Sequence, residues 1–493
     1  MQRVLPPTHD LPLFGPQATR RIEQAAMAAL PPHALMRRAG LAVARWALAI
    51  APHAGRIWVA AGPGNNGGDG FEAALHLAGW GKHVSVTFHG DEARLPDDAK
   101  DAFARAKDNG IDIRPSGDVP ADAELIIDAL LGIGANRPPS EAIARCIATI
   151  NEAACPVLAV DAPSGLDVAT GQPLGASAVR ASHTISLLTL KPGLFTAHGR
   201  DHVGEVWFDD LAVAAGNEAP DAWLTGSDIT HAQPRDHAAH KGSFGDVAVI
   251  GGAPSMSGAA LLAGRSALAA GAGRVYVSLL DDAAPGMDPV RPELMFRQHW
   301  WQSPDATLAQ TTVVCGCGGG DAVRAALPRV LSASARLVLD ADALNAIAQD
   351  ASLQALLAAR AARAHPTVLT PHPLEAARLL GISTTEVQAD RLGVARRLAE
   401  RFHCVALLKG SGTVIASAIG PARINPTGNA SLATAGTGDV LAGWLGGLWS
   451  QDAQGDPSQV AAVAAWQHGQ AADLHRSGPL LASDLIHALA KAR

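Results

Sequence analysis

Between the short apolar run Arg56-Ile57-Trp58-Val59-Ala60-Ala61 and a helical stretch from Glu72 to Ala78 lies Gly62-Pro63-Gly64-Asn65-Asn66-Gly67-Gly68-Asp69-Gly70-Phe71. A buried strand feeding a helix through so glycine-rich a turn marks the start of a βα unit. Glycines there allow φ > 0 and let a ligand approach the backbone closely. The helix that follows turns unpaired N–H groups toward that ligand, which favours an anion such as phosphate. Asn65, Asn66 and Asp69 exceed what a turn requires, and an Asp facing a phosphate repels it. A second partner is therefore expected, either ligand hydroxyls or a cation. A plain turn explains one glycine pair but not five glycines within residues 62–70.

The rest of the chain repeats the alternation. Strands are expected at Arg56–Ala61, His83–Phe88, Leu125–Leu130, Val157–Asp161, Ile185–Leu188 and Val206–Phe208. A second series runs through 246–250, Arg274–Leu279, Thr312–Cys315, Arg336–Asp340, Thr367–Thr370, Val405–Lys409 and Thr413–Ala416. Apolar strands separated by helices predict mostly parallel sheets covered on both faces. Residues 20–50 read as helical, with Met36, Ala39, Val43, Trp46 and Ile50 on one stripe. Between Ala212 and Pro234 the pattern lapses into small and polar residues, the mark of a joint. The expected division is residues 1–220 and 221–493, two doubly wound α/β domains that each own a core.

Composition narrows the function classes. A net charge of −7 gives no electrostatic basis for nucleic-acid binding. No apolar stretch reaches the length of about 18 residues expected of a membrane span, and Met1 to Phe14 lacks an apolar signal core. A cytoplasmic location is expected. Five scattered cysteines imply no disulfide framework, and Cys315 and Cys317 read as small buried residues at a strand end.

Three strand ends converge in the first half: the Gly-rich loop, Asp128-Ala129-Leu130-Leu131-Gly132-Ile133-Gly134-Ala135-Asn136-Arg137-Pro138, and Asp161-Ala162-Pro163-Ser164-Gly165. Ligands of open α/β sheets bind outside such carboxyl ends. Asp128 and Asp161 each end a buried strand, where an unpartnered carboxylate is expensive. A cation held by Asp128, Asn66 and Ser164 would relieve that cost with oxygen ligands. One such Asp would be a helix or turn cap; two beside this loop argue for a site. Together the three motifs resemble the NAD(P)H-hydrate epimerase (YjeF N-terminal) family over roughly residues 20–215. The resemblance implies that Asn65, Asn66, Gly67, Gly68 and Asp69, residues Gly132 to Pro138, and Asp161 contact the hydrated nucleotide. It also implies a potassium ion on Asn66, Asp128 and Ser164. Asp128 or Asp161 would shuttle the proton during epimerisation.

In the second half, Asn429 and then Thr434-Ala435-Gly436-Thr437-Gly438-Asp439 enter an apolar helix. The helix start offers N–H groups to an anion, and Asp439 stands where a base could take the proton of an attacking hydroxyl. Lys409-Gly410-Ser411-Gly412-Thr413 reads as a hairpin suited to a nucleotide, while acids follow Leu339 and His372 follows a strand end. With Lys241 to Gly245 and Gly251 to Ala260, these motifs resemble the ADP- or ATP-dependent NAD(P)H-hydrate dehydratase family, which has a ribokinase-like fold. The resemblance implies that Ala259 or Ala260, Gly318, His372 and Asp439 face the substrate. Lys409, Gly410, Ser411, Gly412, Thr413 and Gly438 would face ADP or ATP with Mg²⁺. Two departures stand out: Gly316-Cys317-Gly318 replaces the usual Gly-Pro-Gly, and Leu374 replaces a glycine.

The expectation is a two-domain enzyme, an isomerase and a lyase, acting on hydrated NADH and NADPH. The first domain would interconvert the R and S epimers. The second would dehydrate the S form using ADP or ATP, releasing phosphate and, from ADP, AMP. A homo-oligomer is expected. Two other classes compete: a ribokinase-like small-molecule kinase with an N-terminal nucleotide-binding scaffold, and a binding scaffold that has lost its acids. Retention of Asp128 and Asp161 argues against both.

Overall fold

The computed structural model describes residues 1–115, 120, 122–230, 236–475 and 478–492. It divides into two compact units, residues 1–7 with 11–224 and residues 8–10 with 225–493.

The first unit carries an 8-stranded sheet. Its strands run in the order Gln2–Arg3, Glu205–Asp209, His183–Leu187, Val157–Val160, Leu125–Ala129, Arg56–Ala61, His83–Phe88 and Asp112–Pro115. Every pairing is parallel except that of Gln2–Arg3. The apolar runs that predicted strands are buried on both faces, as Val59, Ile127, Leu158 and Ile185 show. Arg56–Ala61 pairs with His83–Phe88 on one side and Leu125–Ala129 on the other, so the winding reverses there and opens a crevice at the strand ends.

Residues 20–50 are two helices, Pro16–Ala29 and Ala34–Ile50. Leu30 precedes Pro31 and takes an extended conformation with φ −106° and ψ 157°, which ends the first helix. The expected stripe of Met36, Ala39 and Val43 is buried. The expected joint holds a short strand, Ala222–Leu224, paired antiparallel with Leu11–Leu13 and buried at Ala222 and Leu224. At three residues it is too short for a periodic signal. Residues 231–234 of that stretch lie outside the described residues.

In the second unit the order is Met295–Phe296, Arg274–Leu279, Asp246–Gly251, Thr311–Cys315, Arg336–Leu339, Thr367–Leu369, Val405–Leu408, Val414–Ala416 and Ala422–Ile424. Pairings are parallel as far as Val405–Leu408, after which the chain turns back through antiparallel hairpins. The winding reverses at Asp246–Gly251. The helix Thr437–Gln451 lies against Ser257–Ala269, and glycines set their spacing: a Cβ on Gly443 would fall 2.0 Å from the Ala263 carbonyl oxygen. That close approach brings Asp439 toward the strand ends.

Candidate active sites

The Gly-rich run is mostly helix. Asn65–Gly79 is continuous, with Gly64 at its N-cap, so the helix starts well before Glu72. None of Gly62, Gly64, Gly67, Gly68 or Gly70 takes a positive φ. Their role is close approach. A Cβ on Gly62 would lie 1.7 Å from the Leu130 carbonyl oxygen, and one on Gly67 would lie 2.0 Å from that of Gly62. Gly68 faces Met36 and Gly70 faces Ala129 in the same way. The glycines thus draw the helix onto the strand end, and its first turn opens on a cavity of about 900 Å³.

Asn65, Asn66, Asp69, residues Gly132 to Pro138 and Asp161 line this cavity, while Gly67 and Gly68 pack away from it. Asp128 and Ser164 do not line it. Asp128 is fully buried: Ser164 donates to it through Oγ (2.5 Å) and N (2.8 Å), and Leu130 N through a longer bond of 3.3 Å. Burial pushes its carboxyl up to about 6 despite those donors. Asn66 sits beside Gly132, and its amide nitrogen is buried with no acceptor.

Asp161 holds an unusual backbone for a residue with a side chain, φ +67°. Its N–H is pinned to Ile185 O (2.8 Å), and its Oδ1 accepts from Leu187 N (3.1 Å) and from Lys191 Nζ. Glu23, from the helix Pro16–Ala29, also lines the cavity, as does Asp98. Burial and the nearby Asp161 raise the carboxyl of Glu23 above its ordinary value, and the same causes with Glu23 itself raise Asp69 well above. Lys191 and Glu23 carried no signal in the sequence. One precedes Pro192-Gly193 and reads as a turn lysine; the other lies on an ordinary amphipathic helix.

The second constellation is built on four strand ends. Asp439 stands in the first turn of Thr437–Gln451, behind Gly436 at φ +89°. Burial, reinforced by Asp340, pushes its carboxyl up to about 6. Asp340 accepts from Thr370 Oγ1 (2.7 Å) and from Lys409 Nζ (2.7 Å). The Cys317 thiol is fully buried between the acids, 3.9 Å from Asp340 Oδ2 and bonded to Asp439. Among the described residues, donor atoms of Cys317, Asp340 and Asp439 all lie within 4.8 Å of one another. Burial holds the thiol well above its ordinary value, so it stays a hydrogen-bond donor.

Residues Lys409 to Thr413 do form a hairpin turn, with Gly410 at φ +134° and Gly412 at φ +62°. Arg391 braces it from below, donating to Leu408 O and Lys409 O, both at 3.2 Å. Lys409 reaches inward: a Cβ on Gly438 would lie 3.4 Å from its Nζ. His372 caps the helix Pro373–Leu380, accepting from Leu374 N (3.1 Å), while Glu375 accepts from His372 N (2.8 Å). Glu375 in turn lies 4.0 Å from Lys409. Ala259 is half-buried and touches the space above Gly318, whereas Ala260 is fully buried in the core. Leu374, the departure from glycine, is exposed on that cap.

A family model described as the YjeF-related protein N-terminus matches residues 32–193, and one described as NAD(P)H-hydrate dehydratase matches 247–492. The bifunctional NAD(P)H-hydrate repair enzyme Nnr of Escherichia coli is 37% identical over 479 residues, 95% of this chain and 90% of that protein. The chain belongs to the bifunctional NAD(P)H-hydrate repair enzyme family. A Coxiella burnetii member of this repair enzyme family is 35% identical over 491 residues, 96% of this chain and 98% of its own length. Among solved structures, an ADP/ATP-dependent NAD(P)H-hydrate dehydratase from Bacillus subtilis, co-crystallised with ATP/Mg²⁺, is 32% identical. It covers 53% of this chain and 94% of its own, with a TM-score of 0.46. The repair-family models take in both constellations but stop short of Glu23.

Proposed function

We propose that the chain repairs hydrated NADH and NADPH: the first unit interconverts the two epimers and the second returns one of them to the reduced cofactor. Membership of the repair family along nearly the whole chain carries this reading. In the substrate, the inverting carbon bears a hydroxyl and is bonded to the ring nitrogen. Asp161 takes the hydroxyl proton, the carbon–nitrogen bond breaks, and its electron pair stays on nitrogen, which receives the proton. The oxygen is then an aldehyde carbonyl, and closure on its other face reverses each event. Asp161 suits the role because it lines the cavity, while Asp128 lies buried away from it.

Asp128 instead suits an ion. It is a buried carboxyl with no cationic partner among the described residues, hydrogen-bonded to Ser164, and the family resemblance adds Asn66 to the ion's ligands. Exchanging the oxygen and nitrogen of the Asn66 amide, which hydrogen bonding alone assigns, turns its orphan donor into an acceptor for a cation. Hard oxygen donors fit potassium, which would neutralise Asp128 there.

In the second unit Asp439 takes the proton of the ring hydroxyl as its oxygen attacks the terminal phosphoryl of ADP or ATP. N–H groups at the start of Thr437–Gln451 hold the developing charge. Phosphate is a far better leaving group than hydroxide, so the ring nitrogen expels it and loss of a neighbouring proton restores the double bond. Mg²⁺ entering with the nucleotide would be held by its phosphates and by carboxylates. The test is turnover of purified mixed hydrate with ADP, with ATP and with neither. Recovery of NADH absorbance only with nucleotide, and to completion, is the expected result; accumulation of a stable phosphate ester would make the protein a kinase instead.

A further inference from the structure

Lys191 is among the largest fully buried side chains of the protein, with no exposed surface. Its ammonium meets three acceptors: Asp161 Oδ1, Ser186 Oγ at 3.2 Å and Leu187 O at 2.8 Å. Ser186 spends its own proton on Thr189 O (2.9 Å), so its lone pair is what faces the lysine. Three protons and three acceptors describe a seat for a charged amine, built at the end of the strand His183–Leu187. The same segment supplies Leu187 N to the same oxygen of Asp161. No described residue bonds Oδ2, and Asp161 lines the cavity.

We propose that Lys191 is the positioning residue of the epimerisation site, fixing one oxygen of Asp161 so that the other is presented to the substrate hydroxyl. The proposal rests on the epimerase reading above. The geometry explains two features. A non-glycine residue persists at φ +67° because its N–H and its Oδ1 are both tied to the neighbouring strand and its exit. Besides Lys191, the charged groups around Asp161 are Glu23 and Asp69, both acids, with Arg20 near Glu23. Without the ammonium, the mutually repelling carboxyls of Asp161, Glu23 and Asp69 would lose the cation buried against Asp161. Burial lowers the Lys191 value while Asp161, Glu23 and Asp69 oppose that change, so cation and anion support each other.

The test uses the full-length enzyme, with the circular dichroism and thermal unfolding of each variant as the measure of folding. Lys191→Met is expected to lower epimerisation kcat by about 10²–10³-fold with KM changed less than about threefold. Lys191→Arg is expected to recover activity to within about tenfold of the native enzyme. Combining Lys191→Met with Asp161→Asn should be no slower than Asp161→Asn alone, since the lysine acts through that carboxylate. An unchanged kcat in Lys191→Met overturns the proposal, as does a double variant slower by the whole lysine factor. If Lys191→Met does not fold, the arginine variant decides: a folded protein as inactive as Asp161→Asn overturns it. Failure of the native enzyme to interconvert epimers would instead overturn the epimerase reading, leaving Lys191 outside the question.

Discussion

At the scale of single residues, both sites rely on carboxyls displaced by burial, and the direction of displacement makes predictions. Asp439, pushed up to about 6, must be ionised to act as a base. Dehydration kcat/KM should therefore rise with pH through about 6 and level off above it. Asp439→Asn should lower dehydration by about 10²–10⁴-fold and leave epimerisation unchanged, as paired assays of one preparation would show. Cys317→Ala removes a donor that favours the ionised Asp439, so the acid limb should shift upward in that variant. Asp128 behaves differently because its charge has no cationic partner among the described residues. Its proton stays on in the folded state up to about 6. The unfolded chain releases it near about 4, so stability is highest below that point and falls as pH rises toward 6. A bound potassium ion offsets the fall above 6. Potassium should therefore raise the unfolding temperature near about pH 7.5 by a few degrees relative to choline, with the gain fading toward about pH 5. Asp128→Asn should abolish the gain; an equal gain in that variant would remove the ion from this site.

Between residues and the whole molecule, the helix Asn65–Gly79 decides how the first site is shaped. Gly67→Ala places a methyl 2.0 Å from the Gly62 carbonyl oxygen, a backbone atom with nowhere to move. Helix propensity returns at most about 1 kcal/mol, against overpacking of about 1–3 kcal/mol or more, so the clash wins. Gly79→Ala meets nothing within 4 Å in the same helix and should be neutral or slightly stabilising. Chemical denaturation of the two variants, with epimerisation measured alongside, distinguishes them: only Gly67→Ala should lose both stability and activity. This helix also shows what can be read from a linear chain. Strand, glycine run and helix are contiguous, so their order and the strand-end placement of Asn65, Asn66 and Asp69 were legible. What the glycines do was not, because dense glycine serves positive φ and close packing equally well, and the structure shows packing. The break at Pro31-Pro32 was missed although proline marks it, since the stripe that suggested a helix, Met36 to Ile50, lies wholly beyond it. Lys191 was invisible for another reason: its partner Asp161 is 30 residues away. Nothing local separates a buried lysine before Pro-Gly from a solvated one. The setting of Cys317 was hidden likewise, because Asp340 reaches it from another strand end and Asp439 from a distant helix start.

For the molecule as a whole, the proposed function gives each unit one step, with the hydrate diffusing between them. Full-length Asp161→Asn should consume roughly half of an equal epimer mixture and then stall at the rate of spontaneous epimerisation, whereas Asp439→Asn should consume none. Mixing the two variants should restore complete conversion, followed as NADH absorbance; an unaltered stall in the mixture would mean that the epimers are not exchanged through solution. The two units are not simple consecutive blocks of chain, however, because residues 8–10 belong with 225–493. Asp10 accepts from Gly226 N at 3.0 Å and pairs with Arg423 at 2.5 Å, 413 positions further along. On a ribosome adding about 5–20 residues per second, Asp10 leaves the exit tunnel on the order of half a minute before Arg423 is made. The first unit has its whole sheet by Asp209, so it can close early with this tripeptide still waiting for its partner. Residues 8–10 are thus made early and settle late, tied to the completion of the second unit.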